Sequence, residues 1–316
     1  MKTALVAIGG NALIKVGEEA TYENQMRNLR NTCAHLAKMI ASGYDIVLTH
    51  GNGPQVGNIL IQNEVAKSKV PPMPLDVCVA ESQGQLGYMI QQALTEALIR
   101  QGVRKVVTCL LTRVVVDIDD PAFEMPTKPV GPYYDEGEKE ELRRTQGWDF
   151  AYDKNRGGYR RVVPSPKPLR IVECSSIRRL VFGGDEQAEV VVASGGGGIP
   201  VVEREGCYEG VEAVVDKDLA AAVMAVGIGE KLLIMLTDID CAYLNFGKED
   251  QRPLGLVEAR RMRDYLEEGH FAPGSMGPKV EAGLYFLEKG GERAIITSAD
   301  NIEAALEGLV GTQIIR

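Results

Sequence analysis

The chain has 316 residues, a formal net charge of −9 at pH 7 and 45% hydrophobic residues, the composition of an ordinary globular protein. Its acidic balance argues against nucleic acid as the main partner, which would require a basic face. No apolar run approaches the roughly 18 residues that mark a membrane-spanning helix, and the length is enough for a large core, in one big α/β domain or two lobes.

In chain order, the opening MKTALVAIGGNAL has one lysine and an apolar run broken by Gly9 and Gly10. Lys2–Ile8 is expected as a first strand and not as part of a signal peptide. Glu23–Ala41 carries Met26, Leu29, Cys33, Leu36, Ala37 and Ile40 at helical spacing, with Gly43 as a stop. A strand over Asp45–Thr49, a long helix over Asp76–Arg100 ended by Gly102, and a strand over Lys105–Leu111 follow. This βαβα rhythm predicts a mainly parallel sheet with helices on both faces.

The rhythm breaks near residue 118. Residues 119–171 hold seven of the fifteen prolines, ten acidic and ten basic residues, and the only tryptophan, Trp148. A structureless stretch of that length inside a compact enzyme would be unusual. An inserted subdomain is expected, with Tyr133, Tyr134, Trp148, Phe150, Tyr152 and Tyr159 as its own small core, returning to the sheet near Leu169. Alternation then resumes. A strand ends at Ala193, a helix covers Asp218–Ala225, and a strand covers Lys231–Leu236. Helices at Leu256–Glu267 and Lys279–Glu288, a strand at Arg293–Ser298 and a short helix from Ile302 complete the chain.

The six cysteines, Cys33, Cys78, Cys109, Cys174, Cys207 and Cys241, include no CxxC pair, and His35, His50 and His270 are far apart. That pattern argues against zinc and for reduced, cytoplasmic thiols.

In a parallel sheet, ligands sit beyond the carboxyl ends of the strands. The turns there are Gly9-Gly10-Asn11, His50-Gly51-Asn52-Gly53, Ser194 followed by Gly195 to Gly198, and Thr237-Asp238-Ile239-Asp240. Three of the four pair glycine with small polar groups. Such a set suits an anion held by backbone N–H groups and helix N-termini. GxxxxGK[ST] is absent, and GGNALI and GNGPQV fail the GxGxxG spacing, which disfavours a nicotinamide-dependent dehydrogenase. Phosphoryl transfer without a P-loop needs lysines that converge on the moving group. Three stand in suggestive settings: Lys128 between Pro126 and Pro129, Lys217 between Asp216 and Asp218 at a helix start, and Lys279 where a glycine-rich loop enters a helix. Each could equally be a surface lysine, and Asp216-Lys217-Asp218 could simply be a capped helix start.

The segments GGNAL (9–13), HGNGPQVG (50–57), PTKPVGP (126–132), SGGGGIPV (194–201), DKDLAA (216–221), TDID (237–240) and GSMGPKVEA (274–282) together resemble the carbamate kinase family, a branch of the amino-acid kinase superfamily, over nearly the whole chain. The resemblance implies a three-layer αβα sandwich around a mainly parallel open sheet, with residues 119–171 as an inserted lid subdomain. It implies an N-terminal part, residues 1–187, that binds carbamate and the phosphoryl group and dimerises, and a C-terminal part, residues 188–316, that binds the nucleotide. The implied reaction is ATP + carbamate ⇌ ADP + carbamoyl phosphate with magnesium, run towards ATP in arginine fermentation. The implied partners are these small molecules and a second copy of the chain, with no nucleic acid and no membrane.

The resemblance also implies residue roles. Gly9, Gly10, Asn11, Gly51, Asn52 and Gly53 would hold carbamate and the moving phosphoryl group, with Lys128 closing over it from the lid. Lys217 and Lys279 would bridge the phosphates, oriented by Asp218, which would not act as a base. Gly196, Gly197, Thr237, Asp238, Tyr243, Met276 and Gly277 would bind the nucleotide, and the glycine run would let backbone N–H groups lie beside its phosphates. Magnesium ligands stay unassigned, and His50 either touches the site or caps its turn. Many amino-acid kinases place a lysine before the first glycine pair, where this chain has Val6-Ala7-Ile8, so Lys128 is expected to supply the missing cation. Other occupants of the fold are a glutamate, acetylglutamate or alcohol-phosphate kinase and a silent nucleotide sensor.

Overall fold

The computed structural model describes residues 2–10, 13–15, 17–153, 157–183 and 189–316. The chain opens β1 (Lys2–Ile8), α1 (Tyr22–Ala41), β2 (Tyr44–His50), α2 (Gly53–Ala66), α3 (Leu75–Arg100), β3 (Val107–Cys109) and β4 (Arg113–Val116). It then forms β5 (Lys128–Tyr134), α4 (Glu136–Gln146), β6 (Asp149–Asp153), β7 (Gly158–Val163), β8 (Pro168–Ile171), α5 (Cys174–Phe182) and β9 (Val190–Val192). Next come β10 (Ile199–Arg204), β11 (Cys207–Gly210), α6 (Lys217–Ile228), β12 (Leu232–Leu236), β13 (Tyr243–Leu244), β14 (Arg252–Pro253) and β15 (Leu256–Glu258). The last elements are α7 (Ala259–Glu267), α8 (Met276–Glu288), β16 (Arg293–Thr297), α9 (Ile302–Leu306) and β17 (Thr312–Ile315).

Among the described residues, eight strands form the central sheet in the order β15-β17-β16-β12-β1-β2-β9-β3, and only the β16–β17 pairing is antiparallel. The inner strands are unbroken apolar runs because both their faces are covered. Alternate side chains go to opposite layers. Leu5, Ala7, Val47, Leu233 and Met235 pack with Ile177 of α5, Ala221 of α6 and Val280 of α8. Ala4, Val6, Ile8, Ile46, Leu48 and Ile234 pack with Leu29 of α1 and Ile90 of α3 on the other side. The fold is the expected three-layer αβα sandwich. The strand order also sets the loops after β12, β1, β2 and β9 side by side along one edge.

The chain returns near Leu169 not to this sheet, as expected, but to a second one of order β11-β10-β4-β8, where β8 pairs antiparallel with β4; between β4 and β8 lies the inserted segment. Within it β5, β7 and β6 form an antiparallel sheet, and α4 is started by a reciprocal Asp135–Glu138 capping box. The aromatics pack as anticipated, Tyr134 edge-on to Phe150 at 5.6 Å and Tyr152 beside Tyr159 at 5.0 Å. Trp148 lies instead under the Arg161 guanidinium, 4.2 Å from ring to carbon. The expected boundary between residues 187 and 188 lies outside the described residues.

Three local expectations change. Leu256–Glu267 divides into a strand and a helix, because Leu256–Glu258 finds a parallel partner in β17, a pairing that no local pattern announces. The helix expected from Lys279 begins at Met276, since a proline in the first helical turn needs no hydrogen-bonded N–H. The HGNGPQVG turn continues as a full helix, α2, with Pro54 near its start.

Candidate active site

Three helices point their N-termini into one cavity. Gly53 and Pro54 open α2, Lys217 and Asp218 open α6, and Ser275 precedes α8; all line a cavity of about 390 Å³. Unpaired N–H groups and aligned peptide dipoles at helix starts favour anions. The same cavity is lined by Gly9, Gly10, Gly51, Asn52, Lys128, Gly196, Thr237, Asp238 and Lys279. Asn11, expected beside Gly10, is outside the described residues.

The charged centre arises from local capping and one helix–helix contact. Asp216 adopts an extended backbone, and its Oδ1 accepts from the N–H of Asp218 at 2.9 Å and of Leu219 at 3.3 Å. The helix therefore starts at Lys217. Asp218 is buried, and its carboxylate accepts from Lys217 Nζ at 3.0 Å and, through Oδ2, from Lys279 Nζ at 2.8 Å. Two ammonium groups thus share one carboxylate in a nearly dry setting. Burial opposes ionisation of Asp218, yet the two lysines hold its pKa below the usual value. Burial also works against Lys217, but Asp218 and Asp216 raise its pKa. Lys279 moves the other way, because burial and the Lys217 ammonium outweigh Asp218. Burial raises the Asp238 carboxyl, with Lys279 and Lys217 pulling it back. The Lys217–Asp218–Lys279 cluster is net positive, and an incoming phosphate would relieve the strain on Lys279.

Lys128 reaches the cavity from β5, where its ammonium lies 3.6 Å from Asp216 Oδ2. Its strand pairs Lys128 with Val163 of β7, so the lid sheet aims it.

Close backbone approach explains the first glycines. A Cβ on Gly9 would lie 2.9 Å from the Leu236 carbonyl oxygen, and one on Gly51 would lie 3.3 Å from Cδ of Lys217. The run at 195–198 has a different reason from the expected one. Gly196, Gly197 and Gly198 have φ of 66°, 92° and 90°, a region open to glycine and strained for other residues. Their missing side chains make room for protein atoms. A Cβ on Gly195 would overlap the His50 ring, on Gly196 the Asn52 amide, on Gly197 the Val215 carbonyl and on Gly198 the Val114 side chain. Of the four, Gly196 lines the cavity and Gly197 does not. Gln83 and Thr49 tie the run down by donating to the carbonyls of Gly195 at 2.9 Å and Ser194 at 2.8 Å.

His50 is buried, donates Nδ1–H to the Gly51 carbonyl at 3.0 Å, and has its pKa lowered by burial to about 4. It is a neutral turn-holder behind the cavity wall and lines no part of it. Asn52 donates to Ser82 Oγ at 2.8 Å, which fixes its side chain.

A second cavity of about 310 Å³ shares Thr237, Asp238, Ser275 and Lys279 with the first and is walled by Tyr243, Phe246, His270, Phe271 and Met276. Its aromatic walls, with Tyr243 and Phe246 centroids 5.8 Å apart, suit a flat heteroaromatic group. Tyr243 and Met276, two of the residues expected to bind the nucleotide, line it. Gly277 lines neither cavity, and a Cβ on it would meet the Ala272 carbonyl oxygen at 3.1 Å. Phe246, Phe271 and His270 went unpredicted, since no local motif marks them. Asp216 was legible only as a helix cap.

Residues 2–298 match the family model described as amino acid kinase family. The carbamate kinase of Thermococcus kodakarensis is 47% identical, with 100% of each chain covered. The carbamate kinase-like protein YahI of Escherichia coli is 46% identical, over 99% of this chain and 98% of the relative. The structure of carbamate kinase from Giardia lamblia bound to AMP-PNP superimposes with a TM-score of 0.94 at 40% identity, over 99% of this chain and 98% of the other. With paired cavities at the sheet edge and full-length identity of this order, the chain belongs to the amino acid kinase family, in its carbamate kinase branch.

Proposed function

We propose that the protein is an ATP:carbamate phosphotransferase, moving a phosphoryl group reversibly between ATP and carbamate. The observation that carries this is the buried Lys217–Asp218–Lys279 cluster at three converging helix starts, with Lys128 at its rim, in a chain about half identical to named carbamate kinases. The aromatic cavity would take adenine, and the shared Thr237–Asp238 edge would carry the phosphates from there to the cation cluster.

Towards ATP, an oxygen of the ADP β-phosphate attacks the phosphorus of carbamoyl phosphate. The bond from phosphorus to the carbamate oxygen breaks, and carbamate leaves with the electron pair. In the other direction carbamate is already an anion, so neither direction needs a general base, and positioning with charge neutralisation does the work. Lys217 and Lys279 would hold the transferring group's oxygens, Lys128 would cover it, and backbone N–H groups at Gly10, Asn52 and Gly53 would orient carbamate. Asp218 keeps the two lysines in place.

Among the described residues no three His, Cys, Asp or Glu side chains converge to hold a metal. Magnesium would be bound by the nucleotide phosphates and water beside the Asp238 carboxylate, which lines both cavities, and would neutralise phosphate charge. We also propose the division of labour between residues 1–187 and 188–316, use in ATP synthesis from arginine-derived carbamoyl phosphate, and a homodimer through the N-terminal part. Exposed Tyr88, Ile99, Val106 and Leu111 near α3 and β3 supply apolar surface for such contact. A cytoplasmic setting is favoured by six unpaired thiols.

The relative named carbamate kinase-like at 46% identity makes the substrate worth testing directly. Purified protein with magnesium, ADP and carbamoyl phosphate should form ATP. ATP with glutamate or acetylglutamate should give little ADP, because among the described residues the cations that line the cavity are Lys128, Lys217 and Lys279, with none further for an α-carboxylate. Folded protein that makes no ATP in the first assay would overturn the proposal.

A further inference from the structure

One carboxylate connects the lid to the helix that bears the cation cluster. Asp216 uses Oδ1 to cap α6 and Oδ2 to face Lys128 Nζ at 3.6 Å. Its charge also supports the protonated form of Lys217. Four residues earlier, Glu212 makes a similar double contact. Its Oε2 accepts from Arg161 Nη2 of the lid at 2.6 Å, and its Oε1 accepts from the Leu75 N–H at the start of α3 at 2.8 Å. Between them, the Val214 N–H donates to the carbonyl of Pro164, just beyond β7, at 3.0 Å. The short strip 212–216 is thus the seat on which one end of the lid sheet rests, the start of β5 and the end of β7.

We propose that Asp216 is a positioning residue: while capping α6, it pairs with Lys128 and so docks the lid over the lysine cluster. This rests on the phosphotransferase proposal for its kinetic consequence, and on the Lys128–Asp216 and Arg161–Glu212 contacts for the docking itself. At 3.6 Å the Lys128–Asp216 contact is an ion pair longer than a hydrogen bond. The ammonium can therefore leave the carboxylate for a phosphoryl oxygen without breaking a short, well-aligned bond. Asp216 holds Lys128 over the cavity when it is empty and releases it towards the substrate when it is filled.

Asp216→Asn tests this, because the amide oxygen keeps the cap and only the charge is removed. In the ligand-free protein, hydrogen–deuterium exchange in residues 128–134 and 158–163 should rise in Asp216→Asn and in Lys128→Met, and rise no further in the double variant. Exchange in α6 should stay as in the parent. In the ATP-forming assay, Asp216→Asn should lower kcat about three- to ten-fold, roughly the effect of losing one modest ion pair. KM for carbamoyl phosphate should hold or fall, and Asp216→Glu should restore part of kcat. The kinetic effects of Asp216→Asn and Lys128→Met should not multiply in the double variant. Unchanged lid exchange would overturn the proposal whether or not the protein makes ATP. So would a lower KM with unchanged kcat, which is the signature of simple repulsion. Absence of ATP from the parent protein would count against the phosphotransferase proposal alone, because the exchange experiment needs no substrate.

Discussion

Asp218→Asn removes the one negative charge that two buried lysines share. The carboxylate is 2.8 Å from Lys279 and 3.0 Å from Lys217, with side-chain exposures of 4%, 8% and 16% respectively. At an effective dielectric constant of about 20, each contact is worth about 5–6 kcal/mol of Coulomb energy before desolvation is subtracted. Removing one partner of a buried pair costs about 3–5 kcal/mol in practice. Lysine chemistry sets a similar ceiling, because an orphaned ammonium can shed its proton. Doing so at pH 7 from an ordinary value of about 10.4 costs about 4.6 kcal/mol, and less for Lys279, whose pKa is already depressed. The variant should therefore lose about 3–4 kcal/mol of stability in urea unfolding at pH 7. A lysine that has deprotonated or swung away cannot neutralise a moving phosphoryl group, so kcat for ATP formation should fall about 10²- to 10³-fold. A stability loss below about 1 kcal/mol with kcat within ten-fold of the parent would refute this account of the cluster.

Lys128→Ala should lower kcat about 10²-fold or more while KM for ADP changes little; a retained kcat would leave the lid a structural appendage. Gly196→Ala meets both a positive φ and the Asn52 amide, so it should cost about 2–3 kcal/mol from strained backbone and the lost Asn52–Ser82 bond. Gly10→Ala, with nothing near its Cβ, should unfold like the parent and lose activity only through the ligand; equal unfolding midpoints for the two variants would contradict the packing explanation. His50 has its pKa depressed from 6.5 to about 4, so its contribution is complete above pH 6.5 and lost as pH falls from there towards 4. The lost share is about 3 kcal/mol. His50→Asn should flatten that part of the stability profile in urea melts taken across the range, and parallel profiles would show that the ring is not held neutral.

Much of the architecture was legible because a doubly covered parallel sheet writes itself as alternating apolar strands and amphipathic helices. Lys2–Ile8, Asp45–Thr49 and Lys231–Leu236 declare themselves by unbroken apolar runs, and α1 by its period. Turns after such strands must lie at one edge, so Gly9, Gly51 and Thr237 could be grouped from order alone. The lid was visible as the place where that order failed. What the sequence could not contain was distance. Lys217 and Lys279 are 62 residues apart in numbering, yet both reach Asp218 because α6 and α8 pack on the same face of the sheet. Phe246 and Phe271 share a wall for the same reason, with no local pattern to mark either. Most instructive is the glycine run. Its composition announced a need for backbone without side chains, but only packing decided what fills the space: His50, Asn52, Val215 and Val114 from three other strand ends and loops. Local chemistry determines which conformations a segment can adopt, whereas which atoms then compete for the same volume is a property of the whole fold.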